Sequence, residues 1–141
     1  MRAYEATSVI NATPATVWGI LIDGARYPEW DSGVVRVDGR IDSGETIKVV
    51  SAAAPDRTFP VKVTEFSPER SMTWSGGMPL GLFKGVRTFQ LKSGTDGTTR
   101  FDLREAYSGP LLSMMWRSMP DLGPSFDQFA QGLKARAEQQ G

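Results

Sequence analysis

Between Ser118 and Glu138, apolar side chains fall at Leu122, Phe126, Phe129, Ala130, Leu133 and Ala137, in steps of 4, 3, 1, 3 and 4. That spacing paints one face of an α-helix, and Asp127, Gln128, Gln131, Lys134 and Arg136 fill most of the other. Acidic residues lie early (Asp121, Asp127) and basic ones late (Lys134, Arg136), as the helix dipole favours. Pro120 and Pro124 leave the start of the helix open between Ser118 and Ser125, with a kink at Pro124 as one outcome. Nothing earlier in the chain has a comparable helical stripe, so this segment has to be what the remainder folds around.

The earlier chain is mostly short runs of period two. Ala3 to Ile10 reads as a first strand. Thr13-Pro14 then starts a helix, with threonine as cap and proline where no amide donor is needed, and Val17, Trp18, Leu21 and Ile22 as its buried face. Gly24 ends it, and a second short helix or turn carries Tyr27-Pro28-Glu29-Trp30, with Trp30 wedging the short helices onto the sheet. Alternation resumes at Val35 and Val37, Ile47 and Val49, and Phe59, Val61 and Val63, separated by the turn Asp42-Ser43-Gly44 and the loop Ala52 to Asp56. A Ser67-Pro68-Glu69-Arg70 turn, closing between Phe66 and Ser71, sets Met72 opposite Glu65 and Trp74 opposite Val63. Gly76 to Gly81 is expected to leave the sheet as a flexible rim loop.

Register is arguable for the last two strands, Phe83 to Leu91 and Thr98 to Tyr107. A one-residue slip would turn Phe89 and Leu91, or Phe101 and Leu103, into water. Leu91 must therefore face Phe101, and Phe89 must face Leu103, across a three-residue loop in which Gly97 takes positive φ. The same register sets Arg87 across from Glu105 on the apolar face. A short helix over Leu111 to Arg117 precedes the long one.

Composition removes several functions. The 141 residues carry 16 basic and 16 acidic side chains, without a basic block, so neither nucleic acid nor an anionic membrane is an expected partner. There is no cysteine and no histidine, hence no thiolate nucleophile and no usual metal ligand; no metal and no cofactor are expected. No 18-residue apolar run exists, and a cytoplasmic location without integral membrane association is expected. Asp31, Asp38, Asp42 and Asp96 match no calcium-loop spacing and read as solvated turn residues.

Seven antiparallel strands make a sheet about 30 Å wide, whereas one helix is about 10 Å across. One long helix therefore leaves much of the apolar face to be covered by short helices, loops, large side chains or a guest. The motif Ala12-x-Pro14-x-x-Val17-Trp18-x-x-Leu21-x-Asp23, then Tyr27-Pro28-x-Trp30, Trp74, and Tyr107-Ser108-Gly109 before the apolar helix, resembles the START-like (SRPBCC) superfamily. Within it, the polyketide cyclase/dehydrase and lipid transport family is the most similar. The resemblance covers residues 1–141 as a single START-like domain. It implies an α+β helix-grip fold: a seven-stranded curved antiparallel sheet around the long C-terminal helix, two short helices after strand 1, and a hydrophobic cavity. Members bind lipids, polyketides, hormones and other apolar molecules, and some are cyclases or dehydratases. The superfamily has no shared catalytic motif, so no catalytic residue is assigned.

The candidate ligand-binding residues are Trp74, Arg87, Phe89, Phe101, Leu103, Glu105, Tyr107, Met115, Met119 and Phe126. Arg87 and Glu105 stand as an anchor for a carboxylate, phenolate or carbonyl, as a self-satisfied ion pair fixing the sheet, or as a pair open to water at the cavity mouth. Trp74, Phe89, Phe101 and Tyr107 are core filling or an aromatic wall against a ligand. Met114, Met115, Trp116 and Met119 form a gate or ordinary packing. The leading function is binding of a small hydrophobic molecule for transport, sequestration or sensing. Two alternatives stand beside it: a polyketide cyclase, aromatase or dehydratase using the same cavity, and a protein-interaction module like the chaperone-activating members, with a filled interior. Monomer and dimer are equally compatible with the sequence.

Overall fold

A computed structural model describes residues 2–140. The strands are β1 (Arg2–Ile10), β2 (Val34–Asp38), β3 (Thr46–Ser51), β4 (Phe59–Ser67), β5 (Ser71–Gly77), β6 (Lys84–Ser93) and β7 (Thr99–Ser108). They form one antiparallel sheet in the order β1-β7-β6-β5-β4-β3-β2. The helices are α1 (Pro14–Leu21), α2 (Leu112–Ser118) and α3 (Gly123–Gln140), with 3-10 segments at Gly24–Glu29 and Pro79–Gly81.

α3 buries the expected face, with Phe126, Phe129, Ala130, Leu133 and Ala137 almost fully enclosed. Its first residue is Gly123, so Pro124 sits in the first turn, where its missing donor is harmless. Leu122 lies just before the helix and is half-buried. The helix does not run down the middle of the sheet. It packs on β1, with lesser contact to β7 and α1, and is pinned there by two bonds to backbone. Ser8 Oγ donates to the Ala130 carbonyl at 3.1 Å. Lys134 Nζ donates to the Val9 carbonyl at 2.7 Å.

Local structure departs from the sequence expectations in several places. In α1, Ile20 is buried and Ile22 exposed, because the helix stops at Leu21 and Ile22 caps it. Gly24 begins the next 3-10 segment. Thr13 does cap α1, its Oγ1 accepting from the Thr16 amide at 3.3 Å. Trp30 wedges against Tyr27 and Phe129, and so onto α3, its ring centroid 5.1 Å from that of Phe129. Bulges interrupt two ladders, one between Val34 and Arg36 and one between Thr64 and Ser67. The first leaves Val35 exposed while Val34 packs against the core. The second contains Glu65 at φ 48° and turns Phe66 inward to meet Trp18, 5.4 Å between ring centroids. Trp74 still faces Val63, but the turn closes with Ser67 opposite Ser71, and Met72 faces the bulge rather than Glu65 alone.

Gly76 and Gly77 remain in the sheet, paired with Gly85 and Lys84, instead of leaving it. The reason is local: a Cβ on Gly76 would lie 2.9 Å from both the Pro60 carbonyl oxygen and Val61 Cγ1, so only glycine lets β5 approach β4 there. The β6–β7 register is as derived, with Leu91 opposite Phe101, Phe89 opposite Leu103 and Arg87 opposite Glu105. Gly94 N–H bonds the Thr98 carbonyl at 2.8 Å and Gly97 adopts φ 81°.

α3 is braced from the far side by the Tyr27–Ser32 segment. Tyr27 is fully buried and donates to the Leu21 carbonyl at 2.6 Å, and Gln128 Nε2 donates to Asp31 Oδ1 at 2.6 Å. Gly132 lies flat against this segment, where an added Cβ would fall 2.7 Å from the Asp31 carbonyl carbon. Helix propensity alone favours Gly132→Ala by about 1 kcal/mol. The backbone contact should reverse that sign, giving a net loss of roughly 1–3 kcal/mol as in other overpacked sites. Chemical denaturation checks this; an unchanged or higher midpoint would mean the contact yields freely.

Candidate functional site

Because α3 sits toward the β1 end of the sheet, the inner faces of the central strands and of β3 and β4 are only partly covered. The result is a cavity of about 700 Å³, bounded by those strands, α2 and the first half of α3. This volume lies within the range of sites that take small organic ligands. Val34, Val49, Phe59, Val61, Leu103, Leu122 and Phe129 make most of the wall apolar, and Met115 and Met119 close it from the α2 side.

One corner is polar. Arg87 Nε donates to Glu105 Oε1 at 2.7 Å, with the two side chains 23% and 17% exposed. The guanidinium also lies over the Phe126 ring, 4.8 Å from its centroid. Its Nη groups have no hydrogen-bond partner among the described residues. Trp74 is the cross-strand neighbour of Arg87 on the other side, so Trp74, Arg87 and Glu105 form one row across β5, β6 and β7. Tyr107 lies one inward position beyond Glu105. Its hydroxyl and the Trp74 indole N–H are both buried without a hydrogen-bond partner among the described residues. Burial, and then the neighbouring Glu105 carboxylate, push the Tyr107 pKa well above the usual tyrosine range. Tyr107 therefore stays a neutral phenol at any physiological pH.

Of the ten residues singled out from the sequence, the structure brings eight to the cavity: Trp74, Arg87, Leu103, Glu105, Tyr107, Met115, Met119 and Phe126. Phe89 and Phe101 are not on its wall. Both are completely buried, their rings packed against Phe129, with Phe89 also against Trp74. They belong to the solid core behind the cavity. In the methionine cluster, Met114 faces solvent, while Trp116 stacks on Tyr4 at 5.3 Å and lies under the Arg2 guanidinium. Sequence reasoning missed Phe83, Gly76 and Gly85, Arg57, and the β2–β4 wall. Val61 was within reach, since it shares its face with Val63; Gly85 carried no signal except its place in a strand, and Gly76 read as the start of the rim loop. Among the described residues no group of three or more acidic side chains is arranged to hold a metal, and no helix is long and apolar enough to cross a membrane.

A family model described as polyketide cyclase / dehydrase and lipid transport matches residues 1–138. No curated protein matches the chain in sequence. A START superfamily protein from Mycobacterium smegmatis superposes with a TM-score of 0.72 at 14% identity, covering 99% of each chain. The Zhui aromatase/cyclase from Streptomyces sp. R1128 gives 0.77 at 13% identity, over 99% of this chain and 94% of that one. The di-domain ARO/CYC BexL from the BE-7585A biosynthetic pathway gives 0.72 at 18% identity, over 98% of this chain and 47% of that one. At such identities the likeness is one of fold. The curled seven-stranded sheet, C-terminal helix and short helices after strand 1 are the helix-grip arrangement of START-like proteins.

Two measurements test the polar corner. Glu105→Leu strands the Arg87 charge in a half-buried site and should cost about 2–3 kcal/mol of stability, below the value for a fully enclosed pair because the cavity admits water. The double variant Arg87→Leu/Glu105→Leu should recover most of that loss in urea denaturation; no recovery would mean the two groups are not coupled. Tyr107 and the fully buried Tyr27 both have pKa values raised chiefly by burial. Each ionises in the unfolded chain, near pH 10, before it does in the fold. The folded state then holds more protons, so stability should fall as pH rises through about 10. Phenolate absorbance from these two should appear only with unfolding.

Proposed function

The chain belongs to the polyketide cyclase/dehydrase and lipid transport family, and from that membership we propose that it binds a small hydrophobic molecule inside the cavity, for transport, sequestration or sensing. The observation that carries this reading is the 700 Å³ space between the sheet and α3, apolar on most sides and polar at one corner. An apolar body would replace water along Val49, Val61, Leu122 and Phe126. Its oxygen function would meet the free N–H groups of Arg87, whose charge Glu105 already balances. A neutral or weakly anionic acceptor suits that corner better than a cation, since donors outnumber the one paired carboxylate. The open interior also supports a binder over an interaction module, which would need a filled core and an exposed apolar face.

A second reading is supported by the same corner. Arg87 could stabilise an enolate while Glu105 or the neutral Tyr107 phenol moves a proton, as a cyclase, aromatase or dehydratase would require. That reaction would depend on the cavity folding the substrate into position.

Binding is tested by thermal shift and by tryptophan fluorescence, because Trp74 is on the wall. A ligand at a hundredfold excess over its Kd should add about 2.7 kcal/mol, raising Tm by several degrees for a domain of this size. No shift with any fatty acid, aromatic acid or polycyclic probe would remove the binding reading. Turnover of a poly-β-ketone mimic that survives Arg87→Ala unchanged would remove the enzymatic one.

A further inference from the structure

Exposed apolar side chains are concentrated at one end of the molecule. Among the described residues, Met78, Leu80, Leu82 and Met114 are four of the eight large apolar side chains open to solvent, Leu80 being 96% and Met114 59% exposed. They belong to two adjoining segments, the β5–β6 turn and α2. The Met78 N–H closes the turn on the Phe83 carbonyl at 2.8 Å, and the Leu111 N–H ties the approach to α2 onto the Leu82 carbonyl at 2.9 Å. Both segments are apolar on their other side too, since Phe83, Met115 and Met119 line the cavity. α2 itself contains no buried residue.

Leu80 is not explained by the fold. It sits at φ 61°, a left-handed conformation that asparagine or glycine takes more easily, and its side chain covers nothing. Beside it Gly81 is equally open, since an added Cβ would meet nothing within 4 Å. Such a projecting tip suits a medium that yields around it. A second copy of the chain would need about 800 Å² from each partner, more than four partly exposed side chains supply. Charge points the same way. Residues 78–84 and 109–119 include Lys84 and Arg117 and no acidic residue. The first acid beyond them, Asp121, accepts from the Gly123 N–H at 2.9 Å. Apolar tips flanked by basic groups match the layering of acyl chains beneath phosphate headgroups.

We propose that the β5–β6 turn and α2 form a peripheral docking rim for a phospholipid bilayer: Leu80 and Met114, with Met78 and Leu82, insert at the headgroup boundary while Lys84 and Arg117 meet phosphate oxygens. The chain has no basic block, so apolar insertion supplies most of the attraction and charge a smaller part. The rim carries cavity wall on its inner side, so docking brings that wall to the lipid. The proposal concerns this surface and stands whether or not the cavity takes a guest.

The test floats the full chain with vesicles of phosphatidylcholine, alone or with one-fifth phosphatidylglycerol. Wild-type protein should float with both, several-fold more strongly with the anionic vesicles at low salt. Leu80→Asn combined with Met114→Ser should weaken binding to either vesicle at least tenfold, and asparagine suits the left-handed turn, so the fold should persist. Because the chain has no cysteine, a polarity-sensitive dye on Leu80→Cys reports the tip alone. Its emission should move to the blue when vesicles are added, whereas the same dye on Lys92→Cys, toward the far end of β6, should not respond; should the double variant fail to fold, this pair decides. No flotation, or flotation that the double variant leaves intact, overturns the proposal. Flotation with anionic vesicles only, lost in high salt, would mean surface adsorption and overturn insertion. A wild-type dimer that the double variant dissolves, with no vesicle binding, would show that a second copy covers the rim.

Discussion

The structure turns on where one helix is fastened to one edge of a wide sheet. α3 can cover about a third of seven strands at best, and its position is set by Ser8 and Lys134, which bond it to β1. On the opposite side Tyr27, Trp30 and Asp31 brace it, through Phe129, Gln128 and the flat face at Gly132. These contacts draw the helix to the β1–β7 side. The strands beyond are left with an apolar face and no rod above it. The cavity is thus a consequence of anchoring, and it needs no special cavity-forming sequence.

The same geometry sorts the aromatic side chains. Those beneath α3, Phe89 and Phe101, are clasped by Phe129 and complete a dry core. Those at or beyond its footprint, Trp74, Phe83 and Tyr107, face the open space. Arg87 stands at the boundary, with Phe126 of α3 against its guanidinium on one side and the cavity on the other. This placement is compatible with both readings of the pair. Glu105 neutralises the charge and orients it through Nε, as a structural ion pair would, while the remaining N–H groups stay available to a guest. Under the proposed binding function, a structural bond would position a binding group, and the desolvation penalty is moderated because neither side chain is wholly enclosed.

How far the sequence carries is decided by what kind of pattern encodes each feature. Two-residue alternation fixes the face of a residue, which is why Arg87 opposite Glu105 and Phe89 opposite Leu103 could be derived from apolar spacing alone. The three-four spacing of α3 likewise gave its buried face. Neither pattern encodes depth along a strand relative to the helix end, so Phe89 and Phe101 could not be told from Trp74 and Tyr107. Backbone irregularities were equally silent. The bulge at Glu65 and Phe66 depends on a single positive φ in a residue type that rarely adopts one, and it redirects Phe66 into the core. Gly76 looked like the end of a strand, because its reason for being glycine is a carbonyl on a neighbouring strand.

That last case shows why glycines in such a sheet need to be separated by cause. Gly76 answers to its own fold: a side chain there would collide with backbone, which cannot move aside. At Gly85 the nearest atoms to an added Cβ belong to side chains, Glu105 Oε2 at 3.1 Å and the Tyr107 ring at 3.4 and 3.5 Å. A Cβ there would press on both the Glu105 carboxylate held by Arg87 and the buried Tyr107 ring, so glycine at this position lets those two polar side chains close against the sheet. The backbone at Gly85 and the polar corner of the cavity are therefore packed as one unit. Under the proposed binding function, the apolar wall would be permissive and discrimination between guests would fall to the corner where Arg87 and Glu105 are fixed.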